Sequence, residues 1–158
     1  MSRFFARLIP ICAVVVVCID GWLKTIALSH FPSDQTLINP SFFALALHKN
    51  YGIAFNIPLK LPLILLVSVL LGAGLIDVAW RNYHANPNLS AAAMLVIIGG
   101  CGNVYDRVAY GFTVDYLLIG DRTAINLSDL VILSGIVWLL FASRQSQPTS
   151  PSLTTEQK

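Results

Sequence analysis

Leu61–Trp80 reads LPLILLVSVLLGAGLIDVAW, an apolar stretch in which Asp77 is the only charged residue. A membrane hydrocarbon core about 30 Å thick needs roughly 20 apolar residues of helix to cross it. Lipid cannot hydrogen-bond an open backbone, so an isolated spanning segment has to be helical. The stretch therefore predicts a transmembrane α-helix and a chain that folds in a bilayer.

Other stretches have comparable length and composition, and together they predict four transmembrane spans. The predicted spans are Leu8–Leu28, Leu61–Trp80, Leu89–Tyr105 and Ala124–Phe141. Over all 158 residues, 56% are hydrophobic and 11% are charged, and the mean hydropathy of +0.70 lies outside the usual range of soluble proteins. We expect one four-helix transmembrane domain over residues 1–142 and a disordered tail over residues 143–158, which lacks apolar mass to pack.

The charge pattern excludes nucleic acid as a partner, because the net charge is only +2 and no basic run occurs. The three cysteines, Cys12, Cys18 and Cys101, lie in apolar stretches and form no CxxC pair. We expect them to be buried as small apolar side chains. We expect no metal or other cofactor, since no histidines stand at metal-ligand spacing from these cysteines.

The first span follows Arg3 and Arg7, which is also the pattern of a cleavable signal sequence. Asp20 and Lys24 interrupt its far end, and no small-x-small cleavage site follows before Pro32. We therefore expect the first span to remain in the protein.

Four spans place the long segments Ser29–Lys60 and Asp106–Thr123 on one side of the membrane. The short connection Arg81–Asn88 and both termini lie on the other side. Positive residues are divided evenly between the sides, so the positive-inside rule does not orient the chain. Within the first long segment, Ser41–Ile57 reads SFFALALHKNYGIAFNI, which predicts two short strands or an extended amphipathic flap around an Asn-Tyr-Gly break.

Ionisable residues near the centre of a span cost about 2.5–3.5 kcal/mol each on insertion scales, so each one needs a reason. Asp77 and Arg81 lie four residues apart, which predicts an ion pair on the helix surface. Asp20 and Lys24 have the same spacing. They form a second such pair, or they brace a functional site.

Gly99–Val108 reads GGCGNVYDRV, in which glycines allow close helix approach just before Asn103, Asp106 and Arg107. This pattern fits a glycine-loosened helix end with polar caps. It equally fits a site built at that end.

Asn126 and Asp129 match a capping box at the start of the last span, and capping alone would account for both residues. Asp115 also lies in an apolar setting, between the third and fourth spans. Two carboxylates are thus expected at the same membrane face.

Four blocks in this order resemble the signal peptidase II, or lipoprotein signal peptidase, family over nearly the whole chain. The blocks are Asp20–Lys24 (DGWLK), Asn50–Phe55 (NYGIAF), Gly99–Arg107 (GGCGNVYDR) with its continuation through Gly111 to Val114–Tyr116 (VDY), and Asn126–Asp129 (NLSD). The resemblance implies an all-α membrane protein with four transmembrane helices, a small extracytoplasmic β-strand cradle and a short periplasmic helix. It also implies the bacterial inner membrane, a site toward the periplasmic face and cytoplasmic termini. We expect a monomer surrounded by membrane lipids.

The resemblance implies an aspartyl endopeptidase that cuts lipid-modified prolipoproteins just before the lipidated cysteine. The family's catalytic aspartates fall on Asp115 and Asp129. The residues expected to position the substrate or this pair are Asn50, Asn103, Arg107 and Asn126. The residues expected to support the site are Asp20, Lys24, Asp106 and Gly52.

Two carboxylates about 4 Å apart repel by roughly 4 kcal/mol at an effective dielectric of 20, so the pair is expected to share one proton near neutral pH. The N-terminus of the last helix favours ionised Asp129 and leaves Asp115 as the more frequent carrier. Ser128 stands where the resembling family usually has alanine, and Asn56 stands where it usually has a small residue. We expect Ser128 to change rate and pH optimum rather than reaction type. Two other functions stay open: an ion relay that includes Asp20, and a non-catalytic scaffold.

Overall fold

The computed structural model describes residues 3–31, 43–53, 57, 59–119 and 123–144. Its elements are α1 (Arg3–His30), β1 (Phe43–Asn50), α2 (Leu61–Asn82), α3 (Pro87–Tyr110), β2 (Thr113–Ile119), β3 (Thr123–Ile125) and α4 (Leu127–Arg144). All four helices are long and apolar enough to cross a membrane, which confirms the predicted four-span architecture. The strands form a small antiparallel sheet.

The third helix extends beyond its predicted end at Tyr105. Gly111 has a φ of 82°, a left-handed conformation that glycine adopts without strain, and it ends α3 after Tyr110. Asp106 and Arg107 therefore lie on the last turns of a helix and not in a loop.

Other bounds also differ from the prediction. The first helix begins at Arg3 rather than Leu8. The fourth begins at Leu127, because Thr123–Ile125, partly assigned to the span, pair with β2 as a strand. This helix continues to Arg144, so the predicted tail cannot start at residue 143. Residues 145–158 lie outside the described part of the chain.

The third helix lies at the centre of the bundle and contacts α1, α2 and α4. Its buried face carries small residues, among them Ala91, Ala92 and Ala93. A Cβ added at Gly99 would lie 2.7 Å from the carbonyl oxygen of Ser128 on α4. In lipid, helices associate by close packing, which small residues permit.

The sheet has the order β1-β2-β3 and lies against the C-terminal parts of α1 and α3. Leu47, Val114 and Tyr116 form a buried cluster with Ala27 of α1. Because side chains alternate along a strand, Asp115 lies on the opposite face of β2 from Val114 and Tyr116. We call the end of the bundle that carries this sheet the sheet end.

The segment Ser41–Ile57 was predicted to form two short strands or an extended flap. The described residues contain one strand of this segment, β1, and it pairs with β2 rather than within the segment. Residues 54–56, which include Asn56, lie outside the described part. The expected short periplasmic helix is also not found where the structure describes the chain.

The cysteines correct another prediction, because Cys12, Cys18 and Cys101 are exposed on the outer surface of their helices. The same surface exposes large apolar side chains such as Trp22 and Trp80, which suits contact with lipid. Lipid tails are as apolar as the bundle interior, so a small apolar side chain is stable on either side of the helix.

Candidate active site

Asp115 and Asp129 reach the sheet end from different elements. Asp115 lies on β2 and is 1% exposed, and Asp129 lies in the first turn of α4 and is half-buried. Asn126 contacts both. Its Nδ2 donates to Asp115 Oδ1 at 2.7 Å, and its backbone N–H donates to Asp129 Oδ2 at 3.1 Å. The two carboxyl groups therefore face one shared polar region.

The predicted capping box forms at the start of α4 and orients Asp129. Asn126 Oδ1 accepts the backbone N–H of Asp129 at 3.0 Å, in return for the bond that Asp129 Oδ2 accepts. Asp129 Oδ1 accepts a hydrogen bond from Asn103 Nδ2 at 2.7 Å. Capping and the candidate site thus use the same two residues, since the cap fixes the carboxylate's direction.

Lys24 forms a buried cluster of charges next to these residues. Its Nζ lies 2.7 Å from Asp20 Oδ2 and 2.8 Å from Asp106 Oδ2. It also donates to Asn103 Oδ1 at 3.2 Å. Lys24 is only 2% exposed, and a charge buried at membrane depth needs such partners. The ion pair predicted along α1 therefore also holds Asn103, and through it Asp129.

Arg107 links α3 to the residues after β1. Its Nη2 donates to the Gly52 carbonyl oxygen at 2.9 Å, and its Nη1 donates to the Asn103 carbonyl oxygen at 3.2 Å. The Gly52 N–H donates to Asn50 Oδ1 at 3.0 Å, and Asn50 Nδ2 donates to Asp115 Oδ2 at 3.1 Å. The guanidinium interacts electrostatically with both candidate catalytic carboxylates, so a positive charge lies beside them.

Burial raises the pKa of the Asp115 carboxyl to about 7, and the negative charge of Asp129 acts in the same direction. Hydrogen bonds from Asn50 and Asn126 and the charge of Lys24 act in the opposite direction. A large fraction of Asp115 is therefore protonated near neutral pH, as expected for one of two neighbouring carboxyl groups.

Every predicted site residue belongs to one connected hydrogen-bond and ion-pair network. Its predicted members are Asp20, Lys24, Asn50, Gly52, Asn103, Asp106, Arg107, Asp115, Asn126 and Asp129. The network joins residues of α1, α3 and α4 with residues of β1 and β2, so the candidate site requires the helices and the sheet to be packed together.

A family model described as Signal peptidase (SPase) II matches residues 12–144 of the chain. The chain belongs to the signal peptidase II family. The lipoprotein signal peptidase of Chlorobium phaeobacteroides (strain BS1) is 32% identical over 120 residues, covering 74% of this chain and 72% of that protein. The lipoprotein signal peptidase of Neisseria meningitidis serogroup C (strain 053442) is 32% identical over 137 residues, covering 80% and 83%.

Two solved structures of bacterial membrane enzymes, both determined by the in meso method, share the fold of this signal peptidase II family member. One, at 2.3 Å resolution, has a TM-score of 0.76 at 24% identity and covers 98% of this chain and 93% of its own. The other, at 1.9 Å resolution, has a TM-score of 0.74 at 23% identity, with 90% and 94% covered. The four-helix bundle with its small sheet is therefore shared with these enzymes.

Some contacts of the candidate site were not predicted from sequence. The Tyr116 hydroxyl donates to Asp20 Oδ1 at 2.8 Å, and the Ser128 hydroxyl donates to Asp20 Oδ2 at 2.6 Å. The sequence signal for these bonds was the acid itself, because a carboxylate in a span needs polar partners, but this signal does not name them.

Proposed function

We propose that this signal peptidase II family member is a membrane aspartyl endopeptidase. It removes the signal peptide from diacylglyceryl-modified prolipoproteins by cleaving just before the lipidated cysteine. One observation supports the proposal most directly. Asn126 donates hydrogen bonds to both carboxyl groups, from its side chain to Asp115 and from its backbone to Asp129, although these two residues lie on separate elements.

The two aspartates divide the acid and base roles. The raised pKa of Asp115 makes it the carrier of the proton near neutral pH. Asp129 lies in the first turn of α4, where the helix dipole and the Asn103 amide stabilise a carboxylate. Identical side chains in different environments thus supply one acid and one base.

The reaction then follows from these protonation states. Ionised Asp129 takes a proton from a water molecule, and the water oxygen bonds to the scissile carbonyl carbon. Protonated Asp115 donates a hydrogen bond to the oxygen that becomes negative in the tetrahedral intermediate. When the C–N bond breaks, the proton of Asp115 passes to the leaving amine of the cysteine.

Substrate is held by the groups around this pair. Arg107 and Asn50 connect β1 and the residues after it to the two aspartates, so this edge is proposed to lie over the scissile bond. The lipid chains of the substrate remain in the bilayer beside the helices. Because water must reach a cysteine that is anchored in the membrane, the proposed site lies at the membrane surface. We propose that this surface is the periplasmic one and that the enzyme is a monomer.

The direct test measures cleavage of a diacylglyceryl-modified prolipoprotein by purified protein in detergent. Asp115→Asn and Asp129→Asn should each reduce kcat/KM by about 1,000-fold, within the range that general acid–base groups contribute. Asp77→Asn is the matched control, because Asp77 is an exposed carboxylate on α2. Its ion-pair partner among the described residues is Arg81, whose Nε lies 2.8 Å from Asp77 Oδ1. This variant should cleave as the wild type does.

Other outcomes would contradict the proposal. Wild-type rates in either site variant would remove that aspartate from catalysis. Loss of activity in EDTA would show that a metal ion takes part. Ion flux in vesicles together with no peptide cleavage would favour the relay that the sequence left open.

A further inference from the structure

The carboxylate of Asp20 is surrounded by hydrogen-bond donors from three elements. Oδ1 accepts from the Tyr116 hydroxyl at 2.8 Å and from the backbone N–H of Leu127 at 2.9 Å. Oδ2 accepts from the Ser128 hydroxyl at 2.6 Å and lies 2.7 Å from Lys24 Nζ. With two partners on each oxygen and 1% exposure, Asp20 has its acceptor sites filled without solvent.

Two of these donors are chain neighbours of the candidate catalytic aspartates. Tyr116 directly follows Asp115 on β2, and Ser128 directly precedes Asp129 on α4. The carboxylate of Asp20 therefore contacts the chain neighbour of each candidate catalytic aspartate. It joins β2 to α4 at the two points where a shift of backbone would move the carboxyl groups relative to each other.

The Ser128 hydroxyl fills a closely packed space between α1 and α3. Ser128 is completely buried, and a Cβ added at Gly102 of α3 would lie 2.5 Å from its Oγ. The glycine thus leaves the space that the hydroxyl fills.

We propose that the hydroxyls of Tyr116 and Ser128 are positioning groups that, through the shared acceptor Asp20, fix the separation of Asp115 and Asp129. The proposal rests on the function proposed above. The hydroxyls do not touch substrate. They hold β2 and the first turn of α4 at one spacing, and that spacing sets both the geometry of attack and the repulsion between the two carboxylates.

The test uses Tyr116→Phe and Ser128→Ala, which remove one hydroxyl each and keep the remaining shape. The first prediction is a split between kinetic constants. Ångström-scale misplacement of catalytic groups lowers rates by up to about 100-fold, and we expect each variant to lose about three- to tenfold in kcat with KM within about twofold. The double variant should lose less than the product of the single losses, because both hydroxyls act through one carboxylate.

The second readout is the pH at which activity falls on the alkaline side. Moving two carboxylates from about 4 Å to about 5 Å apart weakens their repulsion enough to lower this pH by about half a pH unit. The charged and titratable groups that interact or pair with Asp115 are Lys24, Arg107, Asp129 and His48, and Lys24 is in turn paired with Asp20 and Asp106. An upward shift would mean that the less neutralised charge of Asp20 acts directly, and it would overturn the positioning role.

Matched controls remove hydroxyls elsewhere. Ser134→Ala lies on the same helix, where the Ser134 hydroxyl donates to the Val131 carbonyl at 2.8 Å. Tyr105→Phe changes a tyrosine on the exposed surface of α3. Both should keep the wild-type kcat and pH profile.

The results separate this proposal from the proposed function. If Tyr116→Phe and Ser128→Ala match the wild type while Asp115→Asn and Asp129→Asn are inactive, the positioning role fails and the protease survives. A variant that loses both melting temperature and kcat while its pH profile stays unchanged would show a merely structural role. That result would also overturn the positioning role. If one variant does not fold, the other decides by the same readouts.

Discussion

Asn126 uses its side chain and backbone together to organise the start of α4. Its amide nitrogen bonds Asp115, its amide oxygen bonds the backbone of Asp129, and it is completely buried. A buried amide with several partners is fixed in orientation, because leaving any of its polar atoms unpaired costs free energy. A single residue thus sets the relation between the two carboxyl groups.

The protonation of Asp115 gives a prediction at this scale. Its pKa of about 7 means that the acid form predominates below this pH and is lost above it, so kcat/KM should fall as pH rises through about 7. Asn50→Leu removes a hydrogen bond that lowers this pKa. The alkaline limb of this variant should move to higher pH, whatever its absolute rate. A pH–rate series for both proteins checks this, and a limb that stays fixed or moves to lower pH would contradict the assignment.

At the scale of elements, the close contact between α3 and α4 determines where Asp129 lies. Glycines at 99 and 102 bring α3 against the first turn of α4, where Ser128 fills the gap. In lipid this packing replaces the hydrophobic driving force that joins helices in water. The position of Asp129 thus depends on the absence of side chains at Gly99 and Gly102.

Gly102→Ala tests this contact. The new Cβ would lie 2.5 Å from Ser128 Oγ but 3.4 Å from Ser128 Cβ, so we expect an overpacking loss of about 1–3 kcal/mol in unfolding free energy. The loss should be smaller when Ser128→Ala is already present. Denaturant unfolding in detergent measures the coupling.

Gly100→Ala is the control on the same helix, because a Cβ there has no neighbour within 4 Å. It should be neutral or slightly stabilising, since alanine favours helix over glycine by about 1 kcal/mol. If the losses of unfolding free energy for Gly102→Ala and Ser128→Ala were additive, the Ser128 hydroxyl would not occupy the space left by Gly102.

In the described part of the chain, the buried charged residues gather at one end of the bundle, and the circumference of the bundle is apolar. The sheet, the buried charges and both candidate catalytic residues lie at the sheet end, while the α2–α3 connection lies at the opposite end. The direction of the bundle in the membrane therefore decides which compartment the candidate site faces.

Labelling of single cysteines tests the proposed orientation. In a variant with Cys12, Cys18 and Cys101 replaced by alanine, Tyr51→Cys and His84→Cys place thiols at exposed positions on opposite ends. A membrane-impermeant maleimide on intact spheroplasts should label position 51 and reach position 84 only after permeabilisation. The reverse pattern would place the site in the cytoplasm.

Sequence patterns predicted the helices well where apolar length alone decides. They failed where local conformation or long-range pairing decides: α3 continues to Tyr110, and β1 pairs with β2, which follows two helices later in the chain. The predicted burial of the cysteines was wrong, because hydropathy does not distinguish a lipid-facing position from an interior one.

The sequence by itself determined the four spans, since crossing a bilayer requires about 20 apolar residues of helix. It also marked the polar residues, because lipid penalises each one that lacks a partner. Only the tertiary structure decided which groups become partners. Asp20 bonds Tyr116 and Ser128 from distant segments, and Asn126 brings Asp115 to Asp129. Such contacts depend on how closely the helices pack and on the register of β1 with β2, which local sequence patterns do not encode.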